Sequence, residues 1–181
     1  MTEPLRVVGT SPLLQSYVFD VERRVVSDGD VSFERDIVTH RGAVAMVAID
    51  GAGRVGMIHQ YRATVDHELW EIPAGTIDRG ERDPLAVAKR ELREELGCTA
   101  QTWTPIGRFL NSPGWTNQQM FVYAATDLTS VDREPMGPEE ERAHVQWLEP
   151  AQLRTLLESD EPLDSTTALG LQWYFLHRAD R

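Results

Sequence analysis

Short apolar or alternating segments, separated by turn residues, follow one another along most of the chain. Ala43–Ile49 is continuously apolar, a pattern typical of a strand buried on both faces. Residues 17–26 and 31–39 flank the polar turn Ser27–Asp30, which indicates a β-hairpin. Further strands are predicted at residues 55–61, 69–72, 102–109, 120–126 and 144–148. The first forty residues are therefore expected to be rich in β-structure.

A helix is predicted over Pro84–Leu96. Asp83 suits the N-cap, Pro84 suits the first helical position and Gly97 suits the residue that ends the helix. Two more helices are predicted near the end of the chain, over residues 150–158 and from residue 164 or 165 to 177. Strands interspersed with few helices predict an α/β fold with a mixed sheet.

Composition excludes several classes of protein. The chain has 181 residues and a formal net charge of −11, without the basic cluster that binding to polymeric nucleic acid normally needs. The apolar run Ala43–Ile49 is too short to span a membrane, and the first residues do not have the pattern of a signal peptide. Because Cys98 is the single cysteine, no intramolecular disulfide can form. We therefore expect a cytoplasmic protein.

The predicted helix Pro84–Leu96 has an apolar face and an acidic face. Helical spacing places four apolar residues on one side: Leu85, Ala88, Leu92 and Leu96. Glu91 and Glu95 are one turn apart, and Glu94 falls beside them. Glu95 borders the apolar stripe, Glu91 comes next and Glu94 lies outermost. Three carboxylates are thus expected to converge at the edge of a buried surface.

Two interpretations of these carboxylates stay open on physical grounds. They can belong to a solvated surface helix, as in most acidic helices. However, like charges four residues apart destabilise a helix by roughly 0.2–0.5 kcal/mol, and carboxylates in its last turns also oppose the helix dipole. A divalent cation between the glutamates would offset both costs. Oxygen ligands without Cys or His favour Mg²⁺, or Mn²⁺, over Zn²⁺.

The segment Gly75–Cys98 resembles the Nudix box. It contains Gly75, Glu81 and the run Arg90-Glu91-Leu92-Arg93-Glu94-Glu95-Leu96-Gly97-Cys98. It departs from the family pattern twice. One extra residue separates Glu81 from Arg90, at Arg82–Asp83, where a loop can accommodate it. Cys98 replaces the final aliphatic residue, and a cysteine is small and usually buried.

Segments outside the box resemble the ADP-ribose pyrophosphatase subfamily. They are Leu69–Gly75, His59–Arg62 and Ser112–Gly114, and the similarity extends over about residues 41–150. The resemblance implies a Nudix-type α/β/α sandwich with a mixed sheet over residues 41–181. It also implies that residues 1–40, with their β-hairpin, form an N-terminal dimerisation element of a homodimer.

The resemblance implies roles for residues of the box. The implied ligands of Mg²⁺ are Glu91, Glu95 and Glu94, the last directly or through water, together with the backbone carbonyl of Ala74. Arg90 and Glu94 are expected in the catalytic centre. In this subfamily the general base often comes from a later loop, which corresponds here to Gly137–Arg142, with Glu140 or Glu141 as the base. The alternative is that these acidic residues are an ordinary solvated charge run.

The resemblance also implies substrate contacts. Arg62 is expected to contact phosphate, with a surface ion pair as the alternative. Trp70 and Glu71 are expected on the nucleobase side, although Trp70 is equally compatible with a core aromatic residue. Pro113 occupies the position of a proline that is typical of the subfamily. After Gly114 the subfamily commonly has an acidic pair, whereas this chain has the polar segment Trp115–Gln119.

The leading hypothesis for function is Mg²⁺-dependent hydrolysis of ADP-ribose to AMP and ribose 5-phosphate. A second hypothesis keeps the chemistry and changes the substrate to another nucleoside diphosphate derivative, such as a nucleotide sugar, a dinucleotide or a coenzyme. A third is a non-catalytic domain that senses nucleotides. No partner other than a small nucleotide and a second copy of the chain is expected, neither a membrane nor a nucleic acid polymer.

Overall fold

The computed structural model describes residues 3–177, which form ten strands and four helices. The strands are β1 (Arg6–Gln15), β2 (Phe19–Ser27), β3 (Ser32–His40), β4 (Ala43–Ala48), β5 (Val55–Arg62), β6 (His67–Glu71), β7 (Ala74–Thr76), β8 (Cys98–Leu110), β9 (Gln119–Ser130) and β10 (His144–Leu148). The helices are α1 (Pro84–Leu96), α2 (Pro138–Arg142), α3 (Pro150–Glu158) and α4 (Ser165–His177).

The chain divides into two compact units. The first contains the residues up to Gly42 together with Leu110–Gln119, and the second contains Ala43–Phe109 and the residues from Met120 onwards. All four helices belong to the second unit.

The first unit contains a three-stranded antiparallel sheet in the order β1-β2-β3. The predicted hairpin is present: β2 and β3 pair from Phe19↔His40 to Ser27↔Ser32. Strand β1 was not predicted. It contains Gly9 and Pro12, which weaken a strand pattern, and all but one of its residues are exposed. The N-terminal element is thus a three-stranded sheet rather than a hairpin alone.

The second unit contains a mixed four-stranded sheet and a smaller one. The strand order of the first is β7-β4-β9-β8, with β4 parallel to β9 and antiparallel to β7. In the second, β5 pairs antiparallel with β10 and with β6. The predicted mixed sheet is therefore confirmed.

Strand β4 lies between two apolar layers. Alternate side chains, such as Ala45 and Val47, pack in one cluster with Leu153 of α3 and Leu171 of α4. The intervening side chains belong to a second cluster whose α1 members are Val87, Ala88, Leu92 and Leu96. Helices thus cover both faces of the central sheet, as expected for the predicted α/β/α sandwich. Within residues 3–177, no helix has the length and hydropathy needed to span a bilayer.

Local sequence determines where α1 begins and ends. The Oδ1 atom of Asp83 accepts a hydrogen bond from the Leu85 amide at 3.0 Å, and Pro84 occupies the first turn. Gly97 has a φ of 62° and its amide bonds to the Arg93 carbonyl at 3.0 Å, the left-handed ending that favours glycine. The predicted bounds of α1 are confirmed. These bounds determine which faces of the helix carry the acidic side chains.

Candidate active site

The three glutamates of α1 are graded in exposure. Glu95 is 4% exposed and Glu91 is 7% exposed, whereas Glu94 lies at an intermediate depth. This is the order that the helical spacing predicts. Charged carboxylates are seldom buried unless a cation or several donors compensate them. The burial of Glu91 and Glu95 therefore requires partners, and these identify the site.

Gly75 gives Glu91 its place. A β-carbon at position 75 would lie 2.0 Å from Cδ and 2.1 Å from Oε1 of Glu91, which is far inside van der Waals contact. Only a residue without a side chain lets the Glu91 carboxylate lie against strand β7. Gly75 and Glu91 are thus coupled by packing, although sixteen positions of sequence separate them.

Glu95 is bound to the backbone of Ala74, the residue that follows Pro73. Its Oε2 atom accepts a hydrogen bond from the Ala74 amide at 2.8 Å. The same residue, Ala74, pairs with Ala45 of β4, so the carboxylate is fixed to the central sheet. The sequence predicts the Ala74 carbonyl and the Glu95 carboxylate as oxygen ligands. The bond between Glu95 and the Ala74 amide brings these two residues into contact.

Arg90 connects the carboxylates of the box. Its Nη1 lies 2.9 Å from Glu91 Oε1 and 2.7 Å from Glu94 Oε2, and its Nε lies 3.5 Å from Glu81 Oε1. The loop at Arg82–Asp83 therefore accommodates the extra residue without separating Glu81 from Arg90. Although burial opposes it, the charges of Glu91 and Glu94 raise the pKa of Arg90.

Burial and neighbouring carboxylates both disfavour the charged forms of Glu91 and Glu95. Burial is the main cause that raises the pKa of Glu91 to about 7; Arg90 opposes the shift, and Glu94 and Glu140 add to it. Burial and the charge of Glu91 raise the pKa of Glu95 well above its usual value. A divalent cation stabilises the charged form of a carboxylate and would reverse both shifts.

The donor set fits a hard cation. Within residues 3–177, no three His, Cys, Asp or Glu side chains form a complete metal-binding arrangement, and here the Arg90 guanidinium pairs Glu91 with Glu94. The available ligands are nevertheless all oxygens, from Glu91, Glu94, Glu95 and the Ala74 carbonyl. Such a set suits Mg²⁺ or Mn²⁺, and a bound cation would stabilise the charged forms that burial disfavours in Glu91 and Glu95.

Arg62 is held by a buried pair on the neighbouring strands β5 and β6. Its Nε and Nη2 donate to the two carboxylate oxygens of Glu71, at 2.9 Å and 2.6 Å. Gln60 adds a bond from Nε2 to Glu71 Oε2 at 3.2 Å. Glu71 is 6% exposed, and its buried carboxylate accepts hydrogen bonds from Arg62 and Gln60. The Arg62 side chain is itself 38% exposed and can reach a ligand.

Trp70 and Pro113 lie in different units. Trp70 is half-buried, packs against the core and stacks on His59 with ring centroids 4.6 Å apart, so it has features of both of its expected roles. Pro113 is exposed in the segment between β8 and β9, within the first unit. The other predicted site residues belong to the second unit.

The acidic segment expected to supply the base contains the short helix α2. Of its three glutamates, Glu139 and Glu141 are exposed and Glu140 is half-buried. The charge of Glu140 raises the pKa of both Glu91 and Glu95, whereas Glu139 acts on Tyr61 and Arg62. Among the three, Glu140 is therefore the one that acts electrostatically on the α1 carboxylates.

Sequence reasoning did not single out Arg133. This half-buried residue lies between β9 and α2, and it donates to the backbone carbonyls of Glu95, Glu140 and Ala143. An arginine between Asp132 and Glu134 has the local pattern of a solvated charge run. Since its partners are carbonyls rather than side chains, no sequence signal could have found it.

Comparisons with known proteins agree with this geometry. The family model described as "NUDIX domain" matches residues 39–169. An ADP-ribose pyrophosphatase of Mycobacterium tuberculosis is 37% identical over 76% of this chain and 66% of its own. One of Bacillus subtilis is 35% identical over 92% of this chain and 88% of its own. A solved structure described as an ADP compounds hydrolase superposes with a TM-score of 0.80 at 23% identity, covering 100% of this chain and 98% of the other.

The fold and the box together define a Nudix-type protein. The chain belongs to the NUDIX domain family, and the predicted α/β/α fold is confirmed by the structural match.

Proposed function

We propose that the protein hydrolyses the diphosphate bond of ADP-ribose and releases AMP and ribose 5-phosphate. The carrying observation is the buried pair Glu91 and Glu95, with the half-buried Glu140 near enough to raise the pKa of both and Arg62 near enough to lower the pKa of Glu95. The two bacterial relatives named as ADP-ribose pyrophosphatases, at 37% and 35% identity, support this substrate.

Mg²⁺ is the proposed cofactor, held by Glu91, Glu94, Glu95 and the Ala74 carbonyl. When bound, the metal neutralises the diphosphate and lowers the pKa of the attacking water. Gly75 keeps Glu91 in place, and the Ala74 amide orients Glu95. Arg90 forms ion pairs with Glu91 and Glu94 and balances part of their charge. These residues position the carboxylates before a substrate arrives, which lowers the cost of reorganisation.

Glu140 is the proposed general base. As the oxygen of water attacks one phosphorus atom, the proton passes from water to the Glu140 carboxylate. The bond between that phosphorus and the bridging oxygen breaks, and the bridging oxygen leaves with the other phosphate. One water is consumed and two phosphate monoesters form. Glu140 is favoured over Glu141 because it is half-buried and acts electrostatically on Glu91 and Glu95, whereas Glu141 is exposed.

Arg62 is the proposed phosphate contact. Its guanidinium is already oriented by Glu71, whose carboxylate also accepts a bond from Gln60, so little side-chain entropy is lost when an anion binds. Glu71 then acts by orienting Arg62 rather than by touching a nucleobase. Trp70 is a proposed contact with the rest of the substrate, and the role of Pro113 stays a prediction from the resemblance.

Purified protein with Mg²⁺ and ADP-ribose tests this proposal. We expect stoichiometric AMP and ribose 5-phosphate, and loss of activity with EDTA that Mg²⁺ or Mn²⁺ restores. Incubation in H₂¹⁸O should place one ¹⁸O in a single product molecule per turnover. Absence of AMP at high enzyme concentration would contradict the proposal, and ligand binding without turnover would favour a nucleotide sensor.

A different nucleoside diphosphate derivative is the second candidate substrate. The observation that favours it is the segment Trp115–Gln119, which replaces the acidic pair expected after Gly114. Trp115 is 55% exposed and Asn111 bonds to Gln118 at 3.0 Å. A panel of nucleotide sugars, dinucleotides and coenzymes decides between the two. A far higher kcat/KM for another compound would replace ADP-ribose.

We also propose that the protein is a homodimer in the cytoplasm and that residues 1–40 are its dimerisation element. Strand β1 is at an edge of its sheet and exposes Val7, Val8, Leu13 and Leu14, each 49% exposed or more. Exposed apolar edge strands tend to pair with another chain. Sedimentation should give a mass near twice 20.5 kDa, and Val8→Glu with Leu14→Glu should give the monomer.

A further inference from the structure

Arg133 connects the end of α1 with α2. Its Nε donates to the Glu95 carbonyl at 2.6 Å, and its Nη2 donates to the Glu140 carbonyl at 2.8 Å. Its Nη1 lies 3.5 Å from the Ala143 carbonyl, which follows α2 directly. One guanidinium thus bonds to the backbone of the two helices that carry the proposed metal ligands and the proposed base.

The α1 side of this connection has a clear physical reason. The last carbonyls of a helix have no partner within the helix and carry partial negative charge. Glu95 is in the last turn of α1, immediately before Leu96 and Gly97. Arg133 supplies both a hydrogen bond and a positive charge at this end. The connection is therefore favourable to α1 itself.

The α2 side depends on Arg133 more strongly. Helix α2 has five residues and none of them is buried, whereas isolated helices of this length are unstable in water. Within the described residues, the Met136 amide also bonds to Glu140 Oε2 at 2.6 Å, but this contact is internal to the segment 136–143. Ala143, at the end of the segment, is buried in the same apolar cluster as α1, and the bonds from Arg133 connect α2 itself to α1.

A second connection runs nearby and differs in strength. Arg93 of α1 pairs with Glu134, and both side chains are more than half exposed, at 52% and 57%. Exposed ion pairs contribute about 0–1 kcal/mol. The Arg133 bonds are partly buried, and bonds from a charged donor are roughly twice as strong as neutral ones. Arg93 therefore offers a matched control for Arg133.

We propose that Arg133 is a positioning residue that holds Glu140 at a fixed distance from Glu95, and so aligns the base with the metal-binding carboxylates. The catalytic part rests on the proposed role of Glu140. A lysine cannot replace Arg133, because a single ammonium group lacks the planar fork that reaches carbonyls on two helices.

Hydrogen–deuterium exchange tests the connection without reference to activity. Arg133→Gln should speed exchange of the amides of residues 136–143 and leave the β4 amides protected. Arg93→Gln should leave exchange in the segment close to wild type. Unchanged exchange in the Arg133→Gln protein would overturn the proposal, and so would equal acceleration by the two variants.

A double-mutant cycle tests the consequence for catalysis. Arg133→Gln should lower kcat by about 10–100-fold, since a misplacement of about 1 Å can cost 10²-fold. The KM for ADP-ribose and the Mg²⁺ concentration for half activation should stay unchanged. In the Glu140→Gln protein, Arg133→Gln should lower kcat by less than about a further twofold, because the effects of residues that act as a unit are not additive. Arg93→Gln should retain the wild-type kcat.

The other outcomes are informative as well. A full effect of Arg133→Gln in the Glu140→Gln protein, or a raised Mg²⁺ requirement, would overturn the proposal and show that Arg133 acts through Glu95. If Glu140→Gln alone leaves kcat unchanged, the base assignment fails and the catalytic role of Arg133 is overturned with it. The exchange measurement then still decides whether Arg133 fixes α2.

Discussion

Helices α1 and α2 each carry three glutamates, but the two helices hold them in different surroundings. In α1, two of the three carboxylates are buried against strand β7, and the helix has caps at both ends. In α2, no residue is buried, Glu139 and Glu141 are exposed, and Gly137 at its start makes no side-chain cap. Similar composition therefore gives one set of carboxylates held by burial and one set on a segment held by backbone bonds from Arg133.

The difference matches the two tasks proposed for them. Metal ligands must be fixed before the metal binds, whereas the base lies on a short helix without buried residues, so its position depends on the backbone bonds from Arg133. Burial also separates the two sets electrostatically, because it raises the pKa of Glu91 and Glu95. The predictions below test this division of roles, beginning with the rigid helix.

Replacing Glu95 by Gln should have the largest effect. The amide still accepts the bond from the Ala74 amide but loses the charge that would hold a cation. Since a metal contributes several kcal/mol to transition-state stabilisation, kcat should fall by about 10³-fold or more. Steady-state kinetics with Mg²⁺ titration measures it. Glu158→Gln, at an exposed position of α3, is the matched control, and equal losses in both variants would contradict the site.

Replacing Glu140 by Gln should reduce kcat by about 10²-fold or more, since general bases contribute roughly 10²–10⁴-fold. The KM should change little. The same substitution at Glu141 should reduce kcat far less, because that side chain is exposed. Parallel kinetics of the two variants provide the measurement. The opposite order would assign the base to Glu141.

Replacing Arg62 by Lys should raise the KM more than it lowers kcat. Lysine keeps the charge but loses the two parallel bonds to Glu71, so the cation is no longer oriented. Bonds to charged groups contribute about 1.5–3 kcal/mol, which corresponds to about 10–100-fold. Gln60→Ala should give a smaller change in the same direction. An unchanged KM in the Lys variant would restrict Arg62 to an ion pair.

Thiol labelling should show the smallest effect and compares Cys98, the first residue of β8 just after the end of α1, with a position on α2. Cys98 is 3% exposed, and burial raises its pKa to about 11, so about one thiol in a thousand is ionised at pH 8. Native protein should react with a thiol reagent very slowly at pH 8, and a Glu141→Cys variant should gain one fast-reacting thiol. Fast labelling of the wild-type protein would contradict the burial of Cys98, next to the end of α1.

Much of this protein could be predicted from sequence because the signals are local. The caps at Asp83 and Gly97 define α1, and helical spacing then orders Glu95, Glu91 and Glu94 by depth. The continuous apolar run Ala43–Ile49 predicts a strand with two buried faces. Strand β1 was missed because exposure and Pro12 remove its pattern, and α2 was expected as a loop because a Gly/Pro-flanked acidic run of five residues lacks helical periodicity.

Residues distant in sequence meet only in the tertiary structure, and these contacts define the site. The sequence by itself determined the family, the acidic face of α1 and the charges available for a metal. The fold decided that Gly75 makes room for Glu91, that Glu71 is occupied by Arg62 and Gln60, and that Glu140 rather than its neighbours acts electrostatically on Glu91 and Glu95. It also decided that Arg133 connects the two acidic helices. The physical reason is that such contacts depend on where backbones approach one another, and periodicity along one segment carries no information about that distance.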